Sequence, residues 1–234
     1  SPKYFVELFK KTYGVSAIDY LTELRIGRAK QLMAQARVKL KEIAHRVGYQ
    51  DEYYFSRKFK QKTGVTPSEY MSRRRRKIAV CDAAITGQLL PLGIVPYAAP
   101  LHPKWTAYYH ERYRGEIPVH LSAFRRNGHW ETNLETLRQA SPGLIVAKDD
   151  LDDAGKRELE RIAPVFYVPW GKADWRGQLR LAARFLGETD EAEMWLSRYE
   201  RKIRHARNRL EEALRGETVL VVRMLKGKLF AYSN

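Results

Sequence analysis

The chain has 234 residues, 44% of them apolar and 30% charged, with 43 Lys and Arg against 27 Asp and Glu, a net charge of +16. That composition excludes a disordered or fibrous chain, no apolar run approaches the roughly 20 residues that span a bilayer, and the start SPKYFVELFKK lacks the charged, apolar and small-residue order of a secretory leader. The single cysteine, Cys81, excludes an internal disulfide framework and fits a reducing compartment, while the charge points to nucleic acid or another anionic surface.

The excess charge is concentrated at one end. Residues 1–77 hold 19 Lys and Arg against 7 Asp and Glu; residues 78–234 hold 24 against 20. The shift falls at Arg73-Arg74-Arg75-Arg76-Lys77, where a domain boundary is expected. Taken alone, such a run reads as a solvated linker as readily as anything more specific.

The first elements in chain order are a duplication. YFVELFKKTYGVSAIDYL (4–21) aligns without gaps on YFSRKFKQKTGVTPSEYM (54–71), with Tyr4/Tyr54, Phe5/Phe55, Phe9/Phe59, Lys10/Lys60, Gly14/Gly64, Val15/Val65 and Tyr20/Tyr70 identical. Each copy predicts a helix with an i, i+4 Phe pair turned to a core. A Gly ends that helix, and a Ser or Thr caps the next, with Asp or Glu three residues on. Before the second copy, Leu40, Ile43, Ala44 and Val47 form a short helical stripe that Gly48 ends. Two short helices joined by a Gly-containing turn read as helix-turn-helix. The second, about 51–63, shows Glu52, Tyr53, Ser56, Arg57 and Lys60 on its outer face, side chains suited to base edges and phosphates. Plain helical packing also accounts for a basic helix-turn-helix; the duplication and the local charge of +12 favour DNA.

GYQDEYYFSRKFKQKTGVTPSEYM resembles the C-terminal signature of AraC-type transcription regulators, and YLTELRIGRAKQLMAQA resembles their long connecting helix. The resemblance covers residues 1–77. It implies two helix-turn-helix units whose recognition helices enter successive major grooves, roughly 34 Å apart. By position, the second recognition helix offers Glu52, Tyr53, Ser56 and Arg57 to bases, and the first offers Lys3, Val6 and Glu7. The resemblance implies that Lys10 and Lys60 hold phosphates. Glu7 is acidic where many relatives carry a basic residue. The family's first unit also has a supporting helix before its recognition helix, so residues 1–77 are expected to be a domain with an incomplete first unit and an unsupported Phe5/Leu8/Phe9 face.

Residues 78–234 alternate apolar, strand-like runs with helical ones. IAVCD (78–82) predicts a strand, GQLLPLG (87–93) a short helix end and IVPYAA (94–99) an extended run. HPKWTAYYHERYRGE (102–116) reads as a loop, either a rim or partly packed. NLETLRQA (133–140) predicts a helix, SPGLIVA (141–147) a buried strand, DDAGKRELERIA (152–163) a helix and PVFYVP (164–169) a strand. WRGQLRLAARFLG (175–187) is an amphipathic helix, and residues 190–216 make a second of about 40 Å at 1.5 Å per residue. TVLVVRM (218–224) and KLFAY (228–232) start new strands. The alternation predicts an α/β lobe with a mostly parallel sheet, behind an all-α module.

NLETLRQASPGLIVA and RLAARFLGETDEAEMWLSRYERKI resemble the periplasmic binding proteins that carry iron–siderophores and vitamin B12. In that family the long helix joins two lobes; here the second lobe is only begun, so the sensing domain at 78–234 is expected to be incomplete. Solute-binding fold, DNA-reading module and absence of a leader together resemble AraC-type activators of siderophore uptake. The implied function is a cytoplasmic, non-enzymatic regulator with a ferric siderophore as effector and no directly bound cofactor or metal. The implied partners are double-stranded DNA, the siderophore, RNA polymerase and a second copy of the chain, with no membrane. The alternative is an α/β domain that serves protein interaction or binds a corrinoid.

Catecholate siderophores are anionic and aromatic, so cations and aromatic walls should hold them, beyond the carboxyl ends of the strands. Arg126, Lys148 and Arg223 are the first candidates, then Arg125, Trp130 and Trp170. Enzyme readings fare poorly. Cys81 lacks the Pro and His neighbours of a repair-methyltransferase nucleophile, His102, His110 and His129 lack metal spacing, and no phosphate loop or nucleophile elbow is present.

Overall fold

The computed structural model describes residues 2–35, 38–123, 129–214, 220–225 and 227–232. Five helices come first: α1 (Pro2–Tyr13), α2 (Ala17–Gln35), α3 (Leu40–Arg46), α4 (Glu52–Thr63) and α5 (Pro67–Arg75). Local signals set their ends. The Asp51 carboxylate accepts from Tyr54 N–H at 2.5 Å to open α4, and Gly64 closes it at φ +85°. Thr66 and Glu69 form a reciprocal capping box that opens α5, with Glu69 N–H donating to Thr66 Oγ1 at 3.2 Å and Thr66 N–H to Glu69 Oε2 at 2.6 Å. The earlier copy repeats the cap, Asp19 N–H donating to Ser16 Oγ at 3.1 Å.

The two copies differ in what covers them. Phe55 and Phe59 are wholly buried and Tyr70 is 4% exposed, in a core with Ile26, Ala29, Ile43 and Ala44. Phe5 is 56% and Tyr20 38% exposed, in an aromatic row with Phe9 and Tyr13. The second copy has α3 laid over it; among the described residues the first has no equivalent.

Among the described residues, seven strands and six α-helices follow, with a 3-10 turn (Leu90–Leu92) after the first helix: β1 (Ile78–Val80), α6 (Ala83–Leu89), β2 (Ala98–Pro100), α7 (Ala107–Tyr113), β3 (Val119–Leu121), α8 (His129–Ala140), β4 (Leu144–Lys148), α9 (Asp153–Glu160), β5 (Val165–Val168), α10 (Trp175–Leu186), α11 (Thr189–Leu214), β6 (Val221–Leu225) and β7 (Lys228–Tyr232). The first five strands form one parallel sheet in the order β3-β2-β1-β4-β5. Its residues alternate between two cores. Ile78, Val80, Val146 and Val168 face α6, α10 and α11; Ala79, Cys81, Ile145 and Ala147 face α8 and α9. Burial on both faces is why these strands read as continuous apolar runs. β6 and β7 form a separate antiparallel hairpin.

Three expectations are corrected. The loop at 102–116 contains α7, because Tyr109 and Tyr113 pack on the core from one helical face. The extended run at 94–99 becomes a strand only from Ala98; Pro96 has no N–H for a ladder, and Ile94 instead enters the core as a loop residue. The basic run is not a solvated linker: Arg73–Arg75 are the last turn of α5, and Arg73 and Arg74 bond to the lobe.

Candidate functional site

The second helix-turn-helix is built around Gly48. At φ +84° it takes a conformation that costs other residues energy, and a Cβ there would lie 3.0 Å from the Arg25 guanidinium. That turn buries Tyr49 against Phe55, ring centroids 5.4 Å apart, with Arg25 over the Tyr49 ring at 5.2 Å. α4 is thereby fixed through its inner face. Its outer face carries Tyr53, 81% exposed, with Arg57 and Lys60 exposed and Glu52 and Ser56 half-buried. Arg57 and Lys58 both lie near the Tyr54 ring, at 6.0 and 5.8 Å. On α1, Val6, Glu7 and Lys10 are exposed on one helix; the side chain of Lys3 lies outside the described residues.

The second candidate site is the carboxyl edge of the parallel sheet. In the order β3-β2-β1-β4-β5 the connections reverse direction between β1 and β4, the position at which open α/β sheets form a crevice. Asp82 follows β1 and Lys148 ends β4. Lys148 Nζ lies 3.2 Å from Asp82 Oδ2 and 3.9 Å above the centre of the Trp170 ring, and it is 13% exposed. Asp82 also caps α6, accepting from Ala84 N–H at 2.8 Å. Directly after Lys148, Asp149 reaches the segment beyond β5, accepting from Trp170 N–H at 2.7 Å and from Lys172 Nζ at 2.9 Å. Those bonds, that of Lys172 foremost, hold its carboxyl below the usual range.

Of the ligand candidates, the fold brings Lys148 and Trp170 into direct contact. Trp130 is half-buried on the other face of the sheet, against the α8–α9 core. Arg125 and Arg126 lie outside the described residues; Arg223 is on β6, with its side chain outside them. Around Lys148, the carboxylates of Asp82 and Asp149 stand against the ammonium groups of Lys148 and Lys172, so extra attraction for an anion has to come from elsewhere. Asp82, Asp149 and Lys172 were not among the sequence candidates. Asp82 had a signal, since it stands directly after a strand as Lys148 stands at the end of one. Asn133 is another residue of this kind: it clasps the end of β3, accepting from Ser122 N–H at 2.8 Å and donating to Ser122 O at 3.0 Å. Beyond β2, Trp105 and Tyr108 are 64% and 66% exposed.

Two family models match the chain, a helix-turn-helix domain over residues 1–73 and a periplasmic binding protein over residues 78–234. The HTH-type transcriptional activator Btr of Bacillus subtilis (strain 168) is 45% identical over 234 residues, all of this chain and 44% of that protein. The arabinose operon regulatory protein of Escherichia coli (strain K12) is 35% identical over 78 residues, 33% of this chain and 27% of that protein. The chain thus spans less than half the length of either relative. Among solved structures, unliganded FhuD2 from Staphylococcus aureus superposes with TM-score 0.56 at 19% identity, over 67% of this chain and 57% of that one. BSU3320 of Bacillus subtilis, described as a FhuD-fold component of a Fep/Fec-like ferrichrome transporter, gives 0.52 at 22%, over 66% and 55%. At these identities the likeness is one of fold.

Proposed function

The chain belongs to the periplasmic binding protein family over residues 78–234 and carries an AraC-type helix-turn-helix domain over residues 1–73, and from that premise we propose that it works as a cytoplasmic transcription activator of iron–siderophore uptake genes. In this reading α4 lies in a major groove with Glu52, Tyr53, Ser56 and Arg57 toward bases and Lys60 on a phosphate, and α1 does the same through Lys3, Val6, Glu7 and Lys10. The α/β lobe takes a ferric siderophore at its carboxyl edge. The observation that carries the ligand class is Lys148, a partly shielded ammonium stacked on Trp170 at the sheet's reversal point. A cation over an aromatic wall suits an anionic, aromatic ligand, and Arg125, Arg126 and Arg223 would supply charge that the described edge lacks. The name of the Btr relative, a transcriptional activator, supports the activator sign.

The mechanism is a population shift. A ligand that binds one arrangement of the lobes more tightly than the other raises the share of chains whose DNA-binding module engages promoter and RNA polymerase. Titrating the protein with a ferric tris-catecholate complex tests the reading. Saturable quenching of the tryptophan fluorescence, weakened at least tenfold by Lys148→Ala, is expected; quenching by a corrinoid instead, or by neither compound, overturns the siderophore assignment.

A further inference from the structure

The passage from α5 into the sheet has no slack. Only Arg76 and Lys77 separate α5 from β1. Lys77 sits at φ +42°, its N–H bonded to Arg74 O at 3.1 Å and its carbonyl accepting from Gly143 N–H at 3.2 Å. A Cβ on Gly143 would lie 2.7 Å from the Arg76 carbonyl oxygen, so the strand start and the helix end are in backbone contact.

Around this junction α5 is bonded to the lobe along its length. Tyr70, 4% exposed, donates its hydroxyl to Glu116 Oε2 at 2.6 Å, and Arg74 donates to the Glu116 carbonyl. Lys30 on α2 brings Nζ to 3.7 Å from Glu116 Oε1. Arg73 donates to Leu92 O at 3.2 Å and pairs with Glu191 at 2.5 Å and Glu188 at 3.0 Å. Its side chain is 16% exposed and that of Glu188 is 7%. Arg76 donates to Leu186 O at 2.7 Å.

The acceptors of Arg73 and Arg76 share a property. Leu92 closes the segment that α6 opens at Asp82, the carboxylate paired with Lys148. Leu186 ends α10, which Asp174 caps four positions after Trp170. Glu188 and Glu191 stand at the start of α11, whose far end leads toward β6 and β7. The segment from Asp82 to Leu92 and α10 each have one end at the carboxyl edge and the other bonded to Arg73 or Arg76, and α11 is bonded to Arg73 at its start.

We propose that α5 and the Arg76 that follows it form a rigid latch, in which Arg73 and Arg76 bond to the segment after α6, to the end of α10 and to the start of α11 while Tyr70 and Arg74 bond to Glu116 ahead of β3, and that this latch locks the DNA-binding module to the lobe and turns displacement of α6, α10 and α11 into reorientation of α4. The lock itself follows from the bonds above; its use as an output rests on the proposed function. The latch leaves Tyr53, Arg57 and Lys60 uncovered, so it sets the direction of the reader helix without masking it.

Hydrogen exchange on the full chain tests the lock. In the wild type, amides of α3 and α4 are expected to open together with those of β1 and β4. Arg73→Ala, and separately Tyr70→Phe, should speed exchange in α3–α5 roughly tenfold while β1 and β4 keep their rates. Arg73→Lys, which keeps the charge but not the forked donors, should fall between; Arg161→Ala, at an exposed pair with Glu158 at the end of α9, should change nothing. Unaltered exchange in both Arg73→Ala and Tyr70→Phe, or independent opening of the module in the wild type, overturns the lock. Promoter affinity measured with and without the ferric tris-catecholate tests the output. A ligand response that survives intact in Arg73→Ala overturns transmission through the latch. A wild type that binds neither compound nor DNA refutes the proposed function, and the exchange data still decide the lock.

Discussion

Tyr70 and Lys148 are polar groups whose neighbours come from far along the chain. Burial first, then the Glu116 carboxylate, drive the Tyr70 hydroxyl above its ordinary range; burial likewise pushes Tyr113 and Tyr167 up to about 12. A folded value above the unfolded one, about 10, means that the neutral form is favoured by folding. That contribution is fully present below about pH 10 and is lost as pH rises through the folded values. Urea midpoints are therefore expected to hold from pH 7 to 9 and fall above pH 10. Tyr70→Phe should cost about 1–3 kcal/mol at pH 7 by removing a buried bond to a charged acceptor, and its stability should fall less steeply above pH 10. An unchanged slope would mean that Tyr70 is not one of the titrating groups. Residues of this kind are only half legible in a sequence. The position of Lys148 after an apolar strand marked it; its pairing with Asp82, on another strand, needed the strand order.

At the scale of elements, the duplication gives a controlled comparison, because the same residues occur in covered and uncovered copies. Phe59 is wholly buried and Phe9 half-buried at equivalent positions. Phe59→Ala should cost about 3–5 kcal/mol, and Phe9→Ala a small fraction of that, by thermal unfolding. Equal losses would show that something outside the described residues covers α1. For DNA, Arg57→Ala should weaken specific binding by about 1–3 kcal/mol and Lys60→Ala should lower the slope of log K against log salt by about 1. Helix ends were readable because Ser16, Asp51 and Thr66 cap through atoms three residues away, and Gly48 and Gly64 take conformations that exclude most side chains. β3 and α7 were not, since β3 has exposed His120 at its centre and α7 has no fully buried residue, so neither shows the apolar run or stripe that marked β1 and α3.

The molecule as a whole separates its charge by role. Residues 1–77 carry +12 of the +16, yet part of that charge is engaged with the lobe: Arg73, Arg74 and Arg76 donate to its carboxylates and carbonyls. DNA affinity should therefore follow Arg57 and Lys60 on α4, and neutralising Arg76 should leave its salt slope unchanged while lowering stability, as read by filter binding and thermal unfolding. The sequence by itself determined the repeat, its caps, the apolar runs of a sheet buried on both sides and the division of charge at residue 77, because these depend on neighbours a few residues apart. Tertiary structure alone decided that the basic run is a joint and that Lys148 meets Asp82 and Trp170. A guanidinium is equally well satisfied by water or by a buried carboxylate, and only the folded chain puts Glu188, Glu191 and the Leu92 carbonyl where Arg73 ends.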